Sequence, residues 1–194
     1  MLSTESTGDK PRVGDAGFSI RQATPDDAPA LAAAAREFFR DTFGPANRPE
    51  DMEHYLTHAF SEARQRAELT DASARILVAV GRNGDIVGYV HVRLGAAPAA
   101  AFSAPTDPAA EIARLYADRR WHGRGLGAAL MDAALSTAVQ WGARLLWLGV
   151  WEQNPRAIAF YAKQGFVDVG EQEFMLGSDR QRDRIMARRL TSSR

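Results

Sequence analysis

The sequence predicts one α/β (α+β) domain spanning residues 18–190, with a mixed central sheet of about seven strands and helices on both faces. Three observations carry this expectation. Segments of β-branched and apolar residues alternate with segments of helical periodicity; a tight turn joins two early strands; and the second half reads strand, helix, strand, helix, strand, which requires a covered, partly parallel sheet. The composition agrees, at 194 residues with 45% hydrophobic, 25% charged and 9% aromatic side chains, as expected of an ordinary globular domain.

Phe18 to Gln22 alternates like a strand. Thr24-Pro25-Asp26-Asp27 then offers a cap, a first-turn proline and acids against the positive end of a helix, so a first helix is expected from Pro25 to Phe43, stopped by Gly44-Pro45. Pro49 to Phe60 reads as a second helix, and Ser61 caps a short continuation to Leu69. Arg75 to Val80 and Ile86 to Leu94 are strands joined around Asn83-Gly84. Gly95 to Pro108 is an alanine-proline loop, either a lid or an idle insertion. Glu111 to Ala117 is a strand, and Leu126 to Trp141 a helix that ends at Gly142. Arg144 to Trp151 is nearly all apolar, as a strand covered on both faces should be. Asn154 caps a helix with Pro155 at its first position and Gly165 past its end, and Phe166 to Phe174 and Arg184 to Leu190 close the domain as strands. Residues 1–17, polar and without a signal-like apolar stretch, are expected to be a disordered tail.

Charge and composition exclude several functions. Lys plus Arg equals Asp plus Glu at 24 each, so no global field draws in nucleic acid or a membrane surface. No apolar run approaches the ~18 residues of a membrane helix. With no Cys there is no disulfide, zinc thiolate or cysteine nucleophile, which permits a reducing cytoplasm, the expected location. His54 and His58 share a helix turn but lack an H-E-x-x-H pattern, so no metal is expected. The arginines at 180, 182, 184, 188 and 189 alternate as a solvated strand would rather than forming a nucleic-acid patch.

The chemistry concentrates at His122-Gly123-Arg124-Gly125-Leu126-Gly127-Ala128, between a strand and a helix. Residues without Cβ let a ligand approach the backbone, and the free amides of a helix start favour an anion, so a phosphate or pyrophosphate is the expected ligand; a plain turn into a packing helix is the alternative. A dinucleotide fold is disfavoured. Its glycines follow the strand at once, whereas Asp118 to His122 intervene here, and the next strand ends in Trp147-Leu148-Gly149-Val150-Trp151 without an acid.

Asp118 to Leu130 resembles the acyl-CoA pyrophosphate motif Q/R-x-x-G-x-G/A of GNAT N-acetyltransferases, and Asn154-Pro155 to Gly165-Phe166 resembles their asparagine-to-tyrosine helix. The two occur in the family order with an apolar strand between, and the resemblance covers Phe18 to Leu190; His122 departs from it by standing at the Q/R position. A narrower similarity, to the PaiA-type spermidine/spermine N-acetyltransferases, lies in Asp41-Thr42-Phe43, Pro49 to Met52 through Tyr55-Leu56, Trp147 to Glu152, and Asp183 to Leu190. The resemblance implies an enzyme that moves the acetyl group of acetyl-CoA, its co-substrate, to a primary amine by direct attack in a ternary complex.

An alkylamine of pKa ~10.4 is only about one part in a thousand neutral near pH 7.4, so a base is needed. Glu111, where the resemblance implies a base in many members, is the first candidate; the alternative is a solvent-facing strand glutamate. By resemblance Tyr161, two helix turns after Asn154, points at the CoA sulfur as the general acid. A phenol giving its proton to a thiolate is uphill by about 2 kcal/mol, so Tyr161 is expected to act partly by hydrogen-bonding that thiolate, core packing with Ile158 being the alternative. The strands at Leu115-Tyr116-Ala117 and Trp147 to Trp151 are expected to splay around pantetheine, with amides near Leu115 and Tyr116 polarising the thioester. Asn154 either bonds pantetheine or caps its helix.

For the acceptor, Glu37, Asp41, Glu50, Asp51, Glu53 and Glu62 outnumber Arg40 and Arg48 between residues 37 and 62, interleaved with Phe38, Phe39, Phe43 and Tyr55. Acids among aromatics suit a small cationic amine such as a polyamine, and Phe39, Asp41, Phe43, Glu53 and Tyr55 are the candidate substrate residues; a solvated helix face gives the same pattern. A non-catalytic acyl-CoA-binding regulator and an acetyltransferase for protein N-termini or lysines are the alternatives. The expected partners are the amine and, compatibly with the sequence, a second copy of the chain.

Overall fold

The protein is described by a computed structural model covering residues 17–96 and 108–191. The expected tail, up to residue 16, and the core of the alanine-proline loop, residues 97–107, lie outside the described residues. In chain order the elements are β1 (Phe18–Gln22), α1 (Ala28–Phe43), α2 (Pro49–Ala59), α3 (Glu62–Thr70), β2 (Ala74–Gly81), β3 (Ile86–Leu94), β4 (Ala109–Ala117), α4 (Leu126–Gln140), β5 (Leu145–Trp151), α5 (Pro155–Lys163), β6 (Val167–Leu176) and β7 (Asp179–Arg189). Short 3-10 turns lie at Pro25–Asp27, Gly44–Ala46 and Arg119–Trp121.

All the described strands join one seven-stranded sheet in the order β1-β2-β3-β4-β5-β7-β6. It is mixed, as expected: β4 and β5 are parallel and the other neighbours antiparallel. Helices cover both faces. Leu31, Phe38, Leu56 and Phe60 from α1 and the α2 region pack on Ile76, Val78 and Tyr89, while Leu126, Leu130, Met131 and Tyr161 from α4 and α5 pack on Val90, Ile112 and Leu146. Burying each of these large side chains contributes roughly 1.5–3 kcal/mol, which is why helices of modest intrinsic propensity are fixed here.

Two boundaries differ from expectation. The first helix begins as the 3-10 turn Pro25–Asp27 and restarts at Ala28, because Pro29 is tolerated only in a first turn. β7 begins at Asp179 rather than Arg184, pairing with β6 down to Leu176↔Asp179. Its early part shows no apolar period because one face is solvated, where Arg180 pairs with Glu173 at 3.0 Å and Arg182 with Glu171 at 3.3 Å. The hairpin tip is clasped to α2. Asp51 Oδ1 accepts from the Ser178 amide at 2.7 Å and from its hydroxyl at 2.9 Å, and a Cβ on Gly177 (φ +61°) would strike Asp51.

Candidate active site

β4 and β5 stay paired for three positions only, Ala109↔Leu145, Ala110↔Leu146 and Glu111↔Trp147. Beyond these β4 follows β3 as far as Ala117↔Gly88, and β5 follows β7 as far as Trp151↔Asp183. The strands therefore part, leaving a wedge in the middle of the sheet with its root at Glu111 and Trp147. A bulge helps to open it. His91 pairs with Arg114 and Val92 with Ile112, so Ala113 is an extra residue in β4, and bulges bend and twist the strand that carries them.

The wedge has its own polar edge. Asp118 donates its N–H to Val87 O of β3 at 2.9 Å, so by strand alternation the Tyr116 amide also points to β3, while those of Leu115 and Ala117 face the wedge. Tyr116 thus offers its ring rather than its amide, a change from the expected pair Leu115 and Tyr116.

At the wide end lies the glycine loop. Gly123 and Gly125 have φ of +76° and +81°, a region that only glycine occupies without strain, and a Cβ on either would meet nothing within 4 Å. Gly125 is the N-cap of α4 and has no side chain to cap it. The first helical bond is Ala129 N–H to Gly125 O at 3.0 Å, so the amides of Leu126, Gly127 and Ala128 lie ahead of the ladder. At Gly127 an added Cβ would reach only ordinary contact with Phe160, at 3.5 Å, so packing alone does not demand a glycine there. Arg124 lies over the Trp121 ring at 5.8 Å. His122 is tied to the chain, its Nε2 lying 3.2 Å from Ala117 O, and partial burial followed by Arg156 lowers its proton affinity. Free amides at the start of a helix favour an anion.

Asn154 does cap α5, accepting the Ala157 amide at 3.1 Å. Its helix holds Tyr161 with 8% of its surface exposed, in the core cluster that also contains Val150 and Leu115. Burial pushes the Tyr161 hydroxyl well above the usual phenol range. Tyr116 faces the other helical layer, its ring 6.2 Å from that of Phe39.

On the α1–α3 face the candidate aromatics come together. The Phe39 ring lies 4.7 Å from Tyr55, 4.5 Å from Phe43 and 6.2 Å from Tyr116; Phe43 lies 5.7 Å from Trp151, and Tyr55 lies 5.5 Å from Phe174. The candidate acids do not join them. Asp41 is exposed, and Glu53 is exposed and matched by Arg36 at 3.0 Å and Arg40 at 3.4 Å. Asp51 is committed to the hairpin clasp and Arg48, and Glu62 to Arg66. Glu111, at the wedge root, is engaged by Arg93 across the β3–β4 pair at 2.6 Å. His54 and His58 stack at 4.5 Å, and among the described residues no group of three or more potential ligands gathers around a metal position.

Two residues beyond those candidates lie on the same face beside this cluster. Trp151 supplies an aromatic wall, and Asp183 is a carboxylate only 9% exposed. A Cβ on Gly149 would come within 3.1 Å of Asp183 Oδ2 and within 2.6 Å of Gln172 Nε2, so a side chain in β5 at this point would make both groups shift. A glycine inside an apolar strand is the sequence signal for such close approach. Asp183 itself is hidden between Arg182 and Arg184, where it reads as one more solvated charge.

Residues 32–166 match the Acetyltransferase (GNAT) family. The chain belongs to the GNAT acetyltransferases. Over 176 residues it is 36% identical to an uncharacterised N-acetyltransferase from the pepI 3′ region of Lactobacillus delbrueckii subsp. lactis, covering 90% of this chain and 98% of that protein. It is 30% identical to the streptothricin acetyltransferase of Streptomyces lavendulae, over 79% of this chain and 83% of the relative. The PaiA N-acetyltransferase of Thermoplasma acidophilum, solved with coenzyme A, shares the fold with a TM-score of 0.72 at 21% identity, over 89% of this chain and 99% of the other. As a GNAT N-acetyltransferase the chain is an enzyme of acyl transfer; no helix among its described residues is long and apolar enough to cross a membrane.

Proposed function

We propose that this GNAT enzyme moves the acetyl group of acetyl-CoA to a primary amine of a small cationic acceptor, polyamines included, in the cytoplasm. The observation that carries the reading is the wedge. It opens at one end on uncapped helix amides suited to a pyrophosphate, and on one face of the sheet it is flanked by an aromatic cluster suited to a cation. Pantetheine lies between β4 and β5, completing the unpaired strand edge, with the amides of Leu115 and Ala117 directed at its polar groups and at the thioester oxygen.

The neutral amine attacks the carbonyl carbon, a C–N bond forms, and collapse of the tetrahedral intermediate breaks the C–S bond. Before the attack Glu111, directly or through water, takes one proton from the ammonium form and so supplies the neutral amine. Tyr161 donates a hydrogen bond to the departing thiolate. Its buried hydroxyl is too weak an acid to surrender the proton cheaply, so the proton that ends on sulfur comes from the substrate nitrogen.

Calorimetry with acetyl-CoA, followed by free-thiol release with polyamines, monoamines, aminoglycosides, streptothricin and peptides, tests the proposal. Heat of binding and turnover on small cations support it. No heat ends it, binding without turnover makes the chain a regulator, and turnover on peptides alone makes it a protein acetyltransferase. Glu111→Gln is expected to depress turnover most at low pH, and an unchanged pH-rate profile removes Glu111 from the mechanism.

A further inference from the structure

We infer that Asp183 is the acceptor-specificity residue: its carboxylate holds a second, non-reacting cationic group of the amine, beside the aromatic cluster of Trp151, Phe43, Tyr55 and Phe174. The inference rests on the acetyltransferase reading above and names the chemistry of its acceptor site.

Four observations support it. Asp183 is more than nine-tenths buried, yet it takes part in none of the ion pairs among the described residues, and the polar group bonded to it is the neutral amide of Gln172 on β6. The carboxylate and the Gln172 amide lie close over Gly149, where an added Cβ would come within 2.6 Å of Gln172 Nε2 and 3.1 Å of Asp183 Oδ2. It pairs in register with Trp151, the last residue of β5 on the wedge, and Trp151 meets Phe43 of α1 at 5.7 Å. From α2, Tyr55 meets Phe174 of β6 at 5.5 Å, and Phe174 lies two residues along β6 from Gln172, the register partner of Asp183.

A carboxylate without a cation among aromatic faces is the chemistry of an ammonium site, through Coulomb and cation–π attraction in a poorly hydrated setting. Isolation costs the ionised form, and burial raises the Asp183 carboxyl to about 6. The charged groups nearby do not compete for it. Its strand neighbours Arg182 and Arg184 alternate to the opposite face, where they pair with Glu171 and Asp168, and Arg114 of β4 is bound to Glu68. Tyr55 is kept neutral by burial, and Gly149 and Trp151 of β5 carry no charge. A ligand ammonium would complete the pair.

The test compares 1,4-diaminobutane with butylamine as acceptors for the full chain and for Asp183→Asn, which keeps the shape and removes the charge. The wild type is expected to favour the diamine in kcat/KM by at least tenfold, chiefly through KM. Asp183→Asn is expected to abolish that preference while leaving the KM for acetyl-CoA unchanged, and the diamine profile should lose its acidic limb near pH 6. An unchanged preference, or an equal loss for both amines, overturns the inference. Spermidine binding by calorimetry separates the two levels of the proposal. Wild-type binding that weakens at least tenfold in Asp183→Asn supports the cation site even if no amine turns over, whereas equal binding, or none to either protein, sinks it.

Discussion

Glu68 and Asp183 are carboxylates buried on the same face of the sheet, on opposite sides of the wedge, and they are treated in opposite ways. Burial alone would raise the Glu68 carboxyl, but Arg114, bonded to it at 2.6 Å, outweighs burial and holds it below the usual carboxylate range, with Arg64 adding a bond at 2.9 Å. His91 stands 3.7 Å away; burial lowers its imidazole to about 4, so it is neutral near pH 7 and helps to lower Glu68 only as it charges in acid. Asp183 has no such partner, and its carboxyl goes the other way. The comparison teaches that the chain can neutralise a buried acid when the acid is structural. On the acceptor side of the wedge it leaves one uncompensated, and a folded chain tolerates that charge at a loss of stability.

The largest effect is expected from breaking the compensated site. Arg114→Met strands Glu68, and removing one partner of a buried pair costs about 3–5 kcal/mol, read as a lower urea midpoint at pH 7. A depressed carboxyl gives stability that is present above its unfolded value of 4.5 and is lost as pH falls, so the deficit of the variant should shrink on acidification.

Next comes the uncompensated site, with the reverse sign. A carboxyl raised from 3.8 to about 6 binds its proton more tightly when folded, so the wild type loses stability as pH rises through that window. Asp183→Asn should therefore stabilise the protein by about 3 kcal/mol at pH 7.5 and by nothing near pH 3.5, measured as the difference in unfolding free energy. Equal stability of variant and wild type at both values would mean that Asp183 is not isolated after all.

The smallest effect leaves both carboxylates alone. Tyr161→Phe removes a hydrogen bond to a developing anion, worth ~1.5 kcal/mol, so kcat should fall about tenfold with acetyl-CoA affinity and the diamine preference intact. A shift in that preference would show that the two faces of the wedge are not independent.

Much of this was legible in the residues, and the parts that were not share a physical cause. Asn83-Gly84, Gly142, Asn154-Pro155 and Gly165 are local signals, and the turns and helix ends they predict are present, as is the glycine opening of α4. The partial pairing of β4 with β5 was expected only through the family resemblance, since strand separation is a non-local event; the bulge at Ala113 that assists it has no turn-like residue to announce it. The aromatics of α1 and α2 that cluster in the fold were picked out because hydrophobic residues among charges stand out. The acids beside them misled, because the arginines that satisfy Glu53 arrive from a different helix, 13 and 17 positions away in sequence. Asp183 was invisible for the converse reason: flanked by arginines in sequence, it is separated from them in space by strand alternation.

The Asp51 clasp on Ser178 has a mechanical corollary. It rivets α2 to the tip of the β6–β7 hairpin, so Tyr55 on the helix and Phe174 on the ribbon ride on one leaf rather than two. On the acceptor reading proposed above, an amine too wide to fit beside these aromatics must tilt that whole leaf against the rest of the molecule. Cutting the rivet, rather than trimming any wall residue, is therefore the most direct route to an enzyme that accepts bulkier amines.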